Sequence, residues 1–342
     1  MTAAITDRRI DGGWRPALFL FLLAPMTGEL ITSSAPPLVF FIPWVFLLFA
    51  LLYGCGAILV RELAVRWRSG WWGVVALGAA YGILEEGLGA KSFFDPHWRA
   101  LGPLGSHGRW MGVNWVWTIG LIIFHAAFCI GASVLATNAV FARHSSGPWL
   151  SGKALAVVGV AYALVLLLFF QKGNENAYRA PTSYYLACLA VTVFFVAVAR
   201  WLGRKQVLAI GSSQVAAWRF ACLGFLAIFS FVFLLYGLPS AGSPAWVTAL
   251  LLIALAATVA FLLTRWSDEG SRTLSTWQQY ALVAGSYGAF ALQAPFQEFN
   301  PARGSAAQGM TLVGLACFCS LFFWRRYLVR SGLNASGKGY IK

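Results

Sequence analysis

Charge is what this chain has least of. Only 11% of its 342 residues are Asp, Glu, Lys or Arg, where an ordinary soluble domain carries about 25%. That deficit excludes a soluble globular enzyme and a disordered protein, because each needs a charged, solvated surface. Acidic residues are the scarcer sign, 11 against 25 basic ones, and there are only 4 His. The net charge of +14 does not mark a nucleic-acid binder, because Lys and Arg sit in short clusters between apolar runs and not along an exposed stripe. Cysteine is sparse. Cys55, Cys129, Cys188, Cys222, Cys317 and Cys319 all fall inside apolar runs, where a thiol acts as a small hydrophobe, and no disulfide framework is expected. The chain also lacks a Walker loop, a dinucleotide glycine fingerprint, a GxSxG elbow and an HExxH pair.

What is there is apolar. Hydrophobic residues make up 59% of the chain, with 16 Trp and 27 Phe. A membrane-spanning helix needs about 20 mostly apolar residues. Ten segments meet that description: 16–34, 39–60, 71–90, 115–140, 154–170, 182–202, 217–237, 245–264, 277–294 and 309–328. The ninth is diluted by Gln278, Gln279, Ser286 and Gln293, as suits a helix facing the inside of a bundle. The expected fold is all-α, a polytopic transmembrane helix bundle of about ten spans with both termini cytoplasmic. Basic residues set this orientation. Lys91, Arg99, Arg109, Lys172, Arg179 and Arg303 fall in loops on one side, and every other Lys and Arg falls on the other, which is therefore the cytoplasmic side. Trp71, Trp72, Trp115, Trp117, Trp201, Trp218, Trp266 and Trp277 stand at expected span ends, as belt aromatics do.

Three regions follow: a cytoplasmic N-terminal segment at 1–15, the transmembrane domain at 16–328, and a cytoplasmic tail at 329–342. Arg8, Arg9 and Arg15 before an apolar stretch imitate a signal peptide, but the stretch outruns an h-region and Pro36 follows the small residues Ser33-Ser34-Ala35, so it reads as a retained first helix. The expected setting is the cell membrane, as a multi-pass protein of a bacterial inner membrane. The lipid bilayer is the expected partner, together with an unidentified membrane or small-molecule substrate; no nucleic acid and no cofactor are expected.

Ionisable residues within spans are costly and mark function. Four stand out: Glu29 in the first span, Glu85 and Glu86 in the third, and His125 in the fourth. At 1.5 Å per residue Glu29 lies about 8 Å below the outer end of its span, the glutamate pair about 6–8 Å, and His125 about 12–15 Å. They share the outer leaflet and can share one outward-opening cavity. Gly78 and Gly82 form a small-xxx-small pair that lets another helix approach closely. Consecutive residues on an α-helix point about 100° apart, so one glutamate is expected to face the cavity and the other a neighbouring helix or Lys91. The outer loop from Lys91 to Gly112 carries Asp95, His97, His107 and Arg109 among aromatics and reads equally as a lid or as an interfacial loop. Asn114 and Gln293 extend the candidate lining. No compact ligand spacing marks a metal site. Glu62, next to Arg61 at an inner span end, reads as a solvated or paired headgroup-level residue.

Glu85-Glu86, Lys91 just after them, and Phe124-His125 on the next span resemble the glutamate-type intramembrane proteases of the CAAX-processing and related bacterial families. The resemblance implies a glutamate and a histidine that activate a water to attack a peptide bond within the membrane. Glu85 or Glu86 would be the general base, and His125 would assist or stabilise the oxyanion. Where the family has Phe four residues before its His this chain has Leu121, and where it has Asn four residues after a second His this chain has Cys129 after His125. The strings YGILEEG, KSFFDP, GRWMGVNWVW and IIFH are also similar to bacterial polytopic membrane proteins with no assigned activity.

Three readings stay open on the residues alone. One is a membrane-embedded hydrolase with Glu85, Glu86 and His125 as catalytic groups. Another is a proton- or cation-coupled transporter using the same carboxylates. The third is a non-catalytic scaffold in which the glutamates join helices together.

Overall fold

The computed structural model describes residues 13–172, 178–204, 215–267, 274–301 and 307–330. The first residues of the N-terminal segment and the tail from Ser331 to Lys342 lie outside the described residues. The described chain is helical apart from one small hairpin, Arg109–Trp110 paired with Val113–Asn114. Ten long helices occupy the ten segments expected. We number them α1 (14–30), α2 (Pro43–Arg66), α3 (70–89), α4 (Trp115–Val140), α5 (Gly152–Lys172), α6 (Thr182–Arg204), α7 (Ala217–Ser240), α8 (Ala245–Trp266), α9 (Thr276–Glu298) and α10 (Met310–Arg330). Seven of them, α2, α4, α5, α6, α7, α8 and α10, are long and apolar enough to cross a membrane by length and composition. The other three, α1, α3 and α9, are those that carry Glu29, the glutamate pair and the glutamines.

Apolar runs become helices because lipid offers the backbone no hydrogen bonds, so each N–H and C=O must find its partner within the segment. Local signals set the ends. Pro43 opens α2, where its missing N–H is an orphan in any helix. Asn114 caps α4 by accepting from the Trp117 N–H at 3.0 Å. Ser275 and Gln278 form a reciprocal capping box at the start of α9.

The helices differ sharply in burial. In α4 72% of the apolar window is buried within the protein, against 11% in α5 and in α8. α4 is therefore central, while α5 and α8 present Leu164, Leu167, Trp246 and Phe261 outward as lipid-facing side chains. Glycines set two tight crossings. A Cβ on Gly82 would lie 2.7 Å from the His125 Cβ, and one on Gly78 3.0 Å from the Ala126 Cα, so the small-xxx-small pair of α3 lies against α4. On the other side of the bundle a Cβ on Gly285 of α9 would lie 2.0 Å from the Ala221 carbonyl oxygen of α7.

Four of the long helices are interrupted on their inward-facing stretches by π turns: Met26–Leu30 in α1, Ala50–Gly54 in α2, Ile83–Gly89 in α3 and His125–Ala132 in α4. A fifth, Phe233–Gly237, lies near the end of α7. The wide bonds are explicit: Ile31 N–H donates to the Met26 carbonyl at 3.0 Å and Ala90 N–H to that of Glu85 at 2.7 Å. π turns are rare and gather at functional sites.

The loop from Lys91 to Gly112 is packed. Phe93, Phe94, Leu101 and Leu104 are buried with Val116, Trp117 and Leu235 in one apolar cluster. Its hairpin turns through Met111 (φ +49°) and Gly112 (φ +75°), the two positive-φ positions of a type I′ turn.

Candidate functional site

The four π turns of α1 to α4 deliver Glu29, Tyr53, Glu85 with Glu86, and His125. Glu85, Glu86 and His125 are all buried and each offers a ligating atom, with these atoms lying within 4.8 Å of one another. His125 Nε2 is 2.9 Å from Glu85 Oε2 and 3.8 Å from Glu86 Oε1. Both glutamates therefore face the histidine, which differs from the expectation that one would turn away. The reason is the π turn, whose wider loop reduces the angle between consecutive side chains.

His125 Nδ1 is 2.8 Å from the Leu121 carbonyl oxygen. A carbonyl only accepts, so Nδ1 carries a proton and a neutral ring presents a lone pair at Nε2. That nitrogen and Glu85 Oε2 are close, yet neither has a well-formed hydrogen bond. Glu86 accepts from the Ser92 hydroxyl, which in turn accepts from Trp117 Nε1 at 3.0 Å. The Tyr53 hydroxyl donates to Glu29 Oε1 at 2.5 Å, and the Tyr53 ring stacks on His125 at 6.4 Å and 17°. Tyr81 lies 5.8 Å from the His125 ring, and its buried hydroxyl faces Glu85 without a well-formed hydrogen bond.

The other candidates separate from this group. Lys91 is buried, with φ +62°, and its ammonium lies 5.2 Å from the Phe170 ring of α5; among the described residues it makes no ion pair with either glutamate. Burial pulls this ammonium below the usual lysine range. Asp95 Oδ1 accepts from the His97 N–H at 2.9 Å, forming a local turn, and its Oδ2 is buried without a partner. Arg109 donates to the Phe94 and Gly112 carbonyls at 2.8 and 3.2 Å, so it ties the loop to itself. Asn114 is committed to the α4 cap and to the Leu104 carbonyl at 2.6 Å. His107 approaches Thr248 of α8 at 3.5 Å, and burial lowers its imidazole below the ordinary histidine value. Gln293, on α9, has a buried amide nitrogen that meets no partner among the described residues, and no hydrogen bond among them joins it to the glutamates. His97 is exposed.

Sequence reasoning missed Tyr53, Tyr81, Ser92 and Trp117. The tyrosines were hidden in apolar runs where an aromatic is unremarkable. Ser92 had one available signal, a hydroxyl six residues after Glu86, the reach of the turn that follows the helix. Arg61 and Glu62 are both fully buried, unlike headgroup-level residues. Arg61 Nη1 meets Glu62 Oε1 at 2.6 Å, and Glu62 accepts from the Trp149 N–H at 2.8 Å, so the pair anchors the loop between α4 and α5.

Two cavities come near the cluster, but neither is lined by Glu29, Glu85, Glu86 or His125, so neither is the shared cavity expected from the sequence. An apolar groove of about 830 Å³ opens between α1, α4, α9 and α10, with Thr27 at its base hydrogen-bonded to the Tyr287 hydroxyl at 2.7 Å. Thr27 is two residues from Glu29 in the same π turn. A smaller cavity of about 130 Å³ between α2, α3, α5 and α6 is lined by Tyr81 and Tyr162.

The chain belongs to an uncharacterized membrane protein family, whose model matches residues 18–329. No curated protein matches it, and no solved structure does.

Proposed function

We propose that this member of the family is a membrane-embedded hydrolase whose nucleophile is a water seated between Glu85, Glu86 and His125. The observation that carries the reading is the convergence of two buried carboxylates of α3 and an imidazole of α4 at 2.9 and 3.8 Å. In this reading all ten helices cross the bilayer with both termini cytoplasmic, as the distribution of Lys and Arg favours, and the membrane is a bacterial inner membrane.

The chemistry follows from the geometry. One glutamate takes a proton from water as the water oxygen attacks the substrate carbonyl carbon. The tetrahedral intermediate then collapses, the bond to the leaving nitrogen or oxygen breaks, and the proton passes to that leaving group. Leu121 holds the His125 ring so that Nε2 points at the reacting water, and Ser92 holds Glu86 in place. Such a positioned general base is worth about 10²–10⁴ in rate. The apolar groove beside Thr27 supports a substrate that arrives from the lipid, a membrane-embedded peptide or an acyl-bearing molecule.

The test is turnover by the purified full chain in liposomes, offered a panel of membrane-soluble peptide and acyl-ester probes and analysed by mass spectrometry. Glu86→Gln and Glu85→Gln are expected to lose at least about 100-fold of product formation. Equal product from wild type and both variants overturns the reading. Dissipation of a proton or cation gradient by wild type, lost in the same variants and without product, replaces it with transport. No gradient dissipation and no product replace it with a scaffold.

A further inference from the structure

We propose that Glu85, Glu86 and His125 form a binding site for one divalent transition-metal ion of the zinc class. The proposal concerns the site of the hydrolase reading. A catalytic role for the ion rests on that reading, whereas its binding stands on the donor set alone.

Spacing is the first argument. Donors around a tetrahedral ion at about 2.0–2.1 Å lie about 3.3 Å from one another. His125 Nε2 lies 2.9 Å from Glu85 Oε2 and 3.8 Å from Glu86 Oε1, on either side of that value. Small side-chain rotations bring all three to it, because the ligating atoms already lie within 4.8 Å of each other.

Partnering is the second. Glu85 Oε2 and His125 Nε2 face each other, are buried, and lack a well-formed hydrogen bond. With Nδ1 donating to Leu121, the neutral ring offers Nε2 as a lone pair opposite carboxylate oxygens. Lone pairs converging on one point need a cation or a proton between them. Lys91, the nearest basic residue in sequence, is directed at Phe170. Two buried carboxylates are costly in a low-dielectric interior unless a cation or a proton neutralises them.

The surroundings supply the third argument. A ligating histidine nearly always donates its other N–H to a carbonyl or carboxylate, and ligating carboxylates are themselves hydrogen-bonded. Here Leu121 holds His125, and Ser92, itself held by Trp117, holds Glu86. Tyr81 is 3% exposed and its hydroxyl faces Glu85 without a well-formed bond, placed to receive a group bound on the ion. One imidazole and two carboxylates, with no thiolate, select Zn²⁺, Mn²⁺ or Fe²⁺ over the oxygen-only sites of Ca²⁺ and Mg²⁺. Three protein ligands leave a position open, the pattern of catalytic and not structural zinc sites.

The experiment is elemental analysis of the purified full chain, followed by cobalt substitution read as visible d–d absorption. About one equivalent of a divalent transition metal per chain is expected, with cobalt bands of a low-coordinate site. Glu85→Gln, Glu86→Gln and His125→Gln should each lower metal content or weaken affinity by about 10-fold or more, while His97→Gln, at an exposed histidine apart from the cluster, keeps the ion. Wild-type protein that is monodisperse, metal-free and without cobalt bands overturns the proposal even if every variant fails to fold. Metal that persists equally in all variants also overturns it. Metal bound without hydrolysis keeps the site and discards the hydrolase. Hydrolysis by chelator-stripped, metal-free protein keeps the hydrolase and discards a catalytic role for the ion.

Discussion

Gly285 and Gly288 stand three residues apart on α9, and the same substitution at each is expected to have opposite effects. Replacing a helical glycine by alanine removes backbone freedom from the unfolded chain and gains about 1 kcal/mol where space allows. At Gly288 space does allow it: a Cβ there meets only Phe318, at an ordinary contact distance of 3.8 Å. At Gly285 the Cβ would stand 2.0 Å from the Ala221 carbonyl oxygen, 2.8 Å from its carbon and 3.0 Å from its Cα. These are backbone atoms of α7 and cannot swing aside, so the helices must part by about 1 Å. The reciprocal approach, in which a Cβ on Gly224 would meet the Leu282 carbonyl oxygen at 2.3 Å, opens with them. Overpacking of this kind costs about 1–3 kcal/mol. Part of that is offset by the helix gain, so Gly285→Ala should be destabilised by up to about 2 kcal/mol and Gly288→Ala stabilised by up to about 1. Thermal unfolding of the two variants in one detergent, followed by loss of the monodisperse peak, should place their midpoints on opposite sides of wild type. Equal midpoints would refute the close α7–α9 crossing.

Gly82→Ala places a Cβ 2.7 Å from the His125 Cβ and 3.3 Å from its Nδ1, displacing the ring by up to about 1 Å. A misplacement of that size costs about 100-fold in a positioned reaction, so turnover or cobalt affinity should fall well before stability does; unchanged values would detach Gly82 from the site. Glu62→Gln removes one partner of a pair that is 1% and 0% exposed, and leaving Arg61 buried and unpaired should destabilise the fold by about 3–5 kcal/mol, read as loss of folded yield; normal yield and melting would show the pair to be dispensable. His107 is held below the usual imidazole range by burial, so folding opposes its protonation. Its contribution is neutral above the unfolded value and turns destabilising as pH falls through about 6.5, and His107→Asn should flatten that part of the melting-temperature profile. An unchanged profile would remove the assignment.

Local composition alone determined a good deal. A run of about 20 apolar residues has to become a helix wherever it crosses lipid, so the ten helices and their approximate ends were legible before any contact was known. Pro43 acts through its own backbone position, and its place at the start of α2 belongs to the same level; Asn114, read from the sequence as site lining, instead caps α4 through its side chain. Glu29, Glu85, Glu86 and His125 stood out because ionisable groups are rare in apolar runs.

Tertiary structure decided what those groups do. An α-helical spacing separates Glu85 from Glu86; the π turn turns both toward His125, and Gly78 and Gly82 let α4 bring that histidine close to α3, a contact that joins residues more than forty positions apart. Lys91 looked like the natural partner of the pair by proximity in sequence, yet its positive-φ turn sends it to Phe170. Arg61 and Glu62 looked like interface residues because they sit at a span end, yet Trp149 and the loop between α4 and α5 close over them. In each case the deciding interaction is made with a segment distant in the chain, and periodicity carries no information about which distant segment arrives.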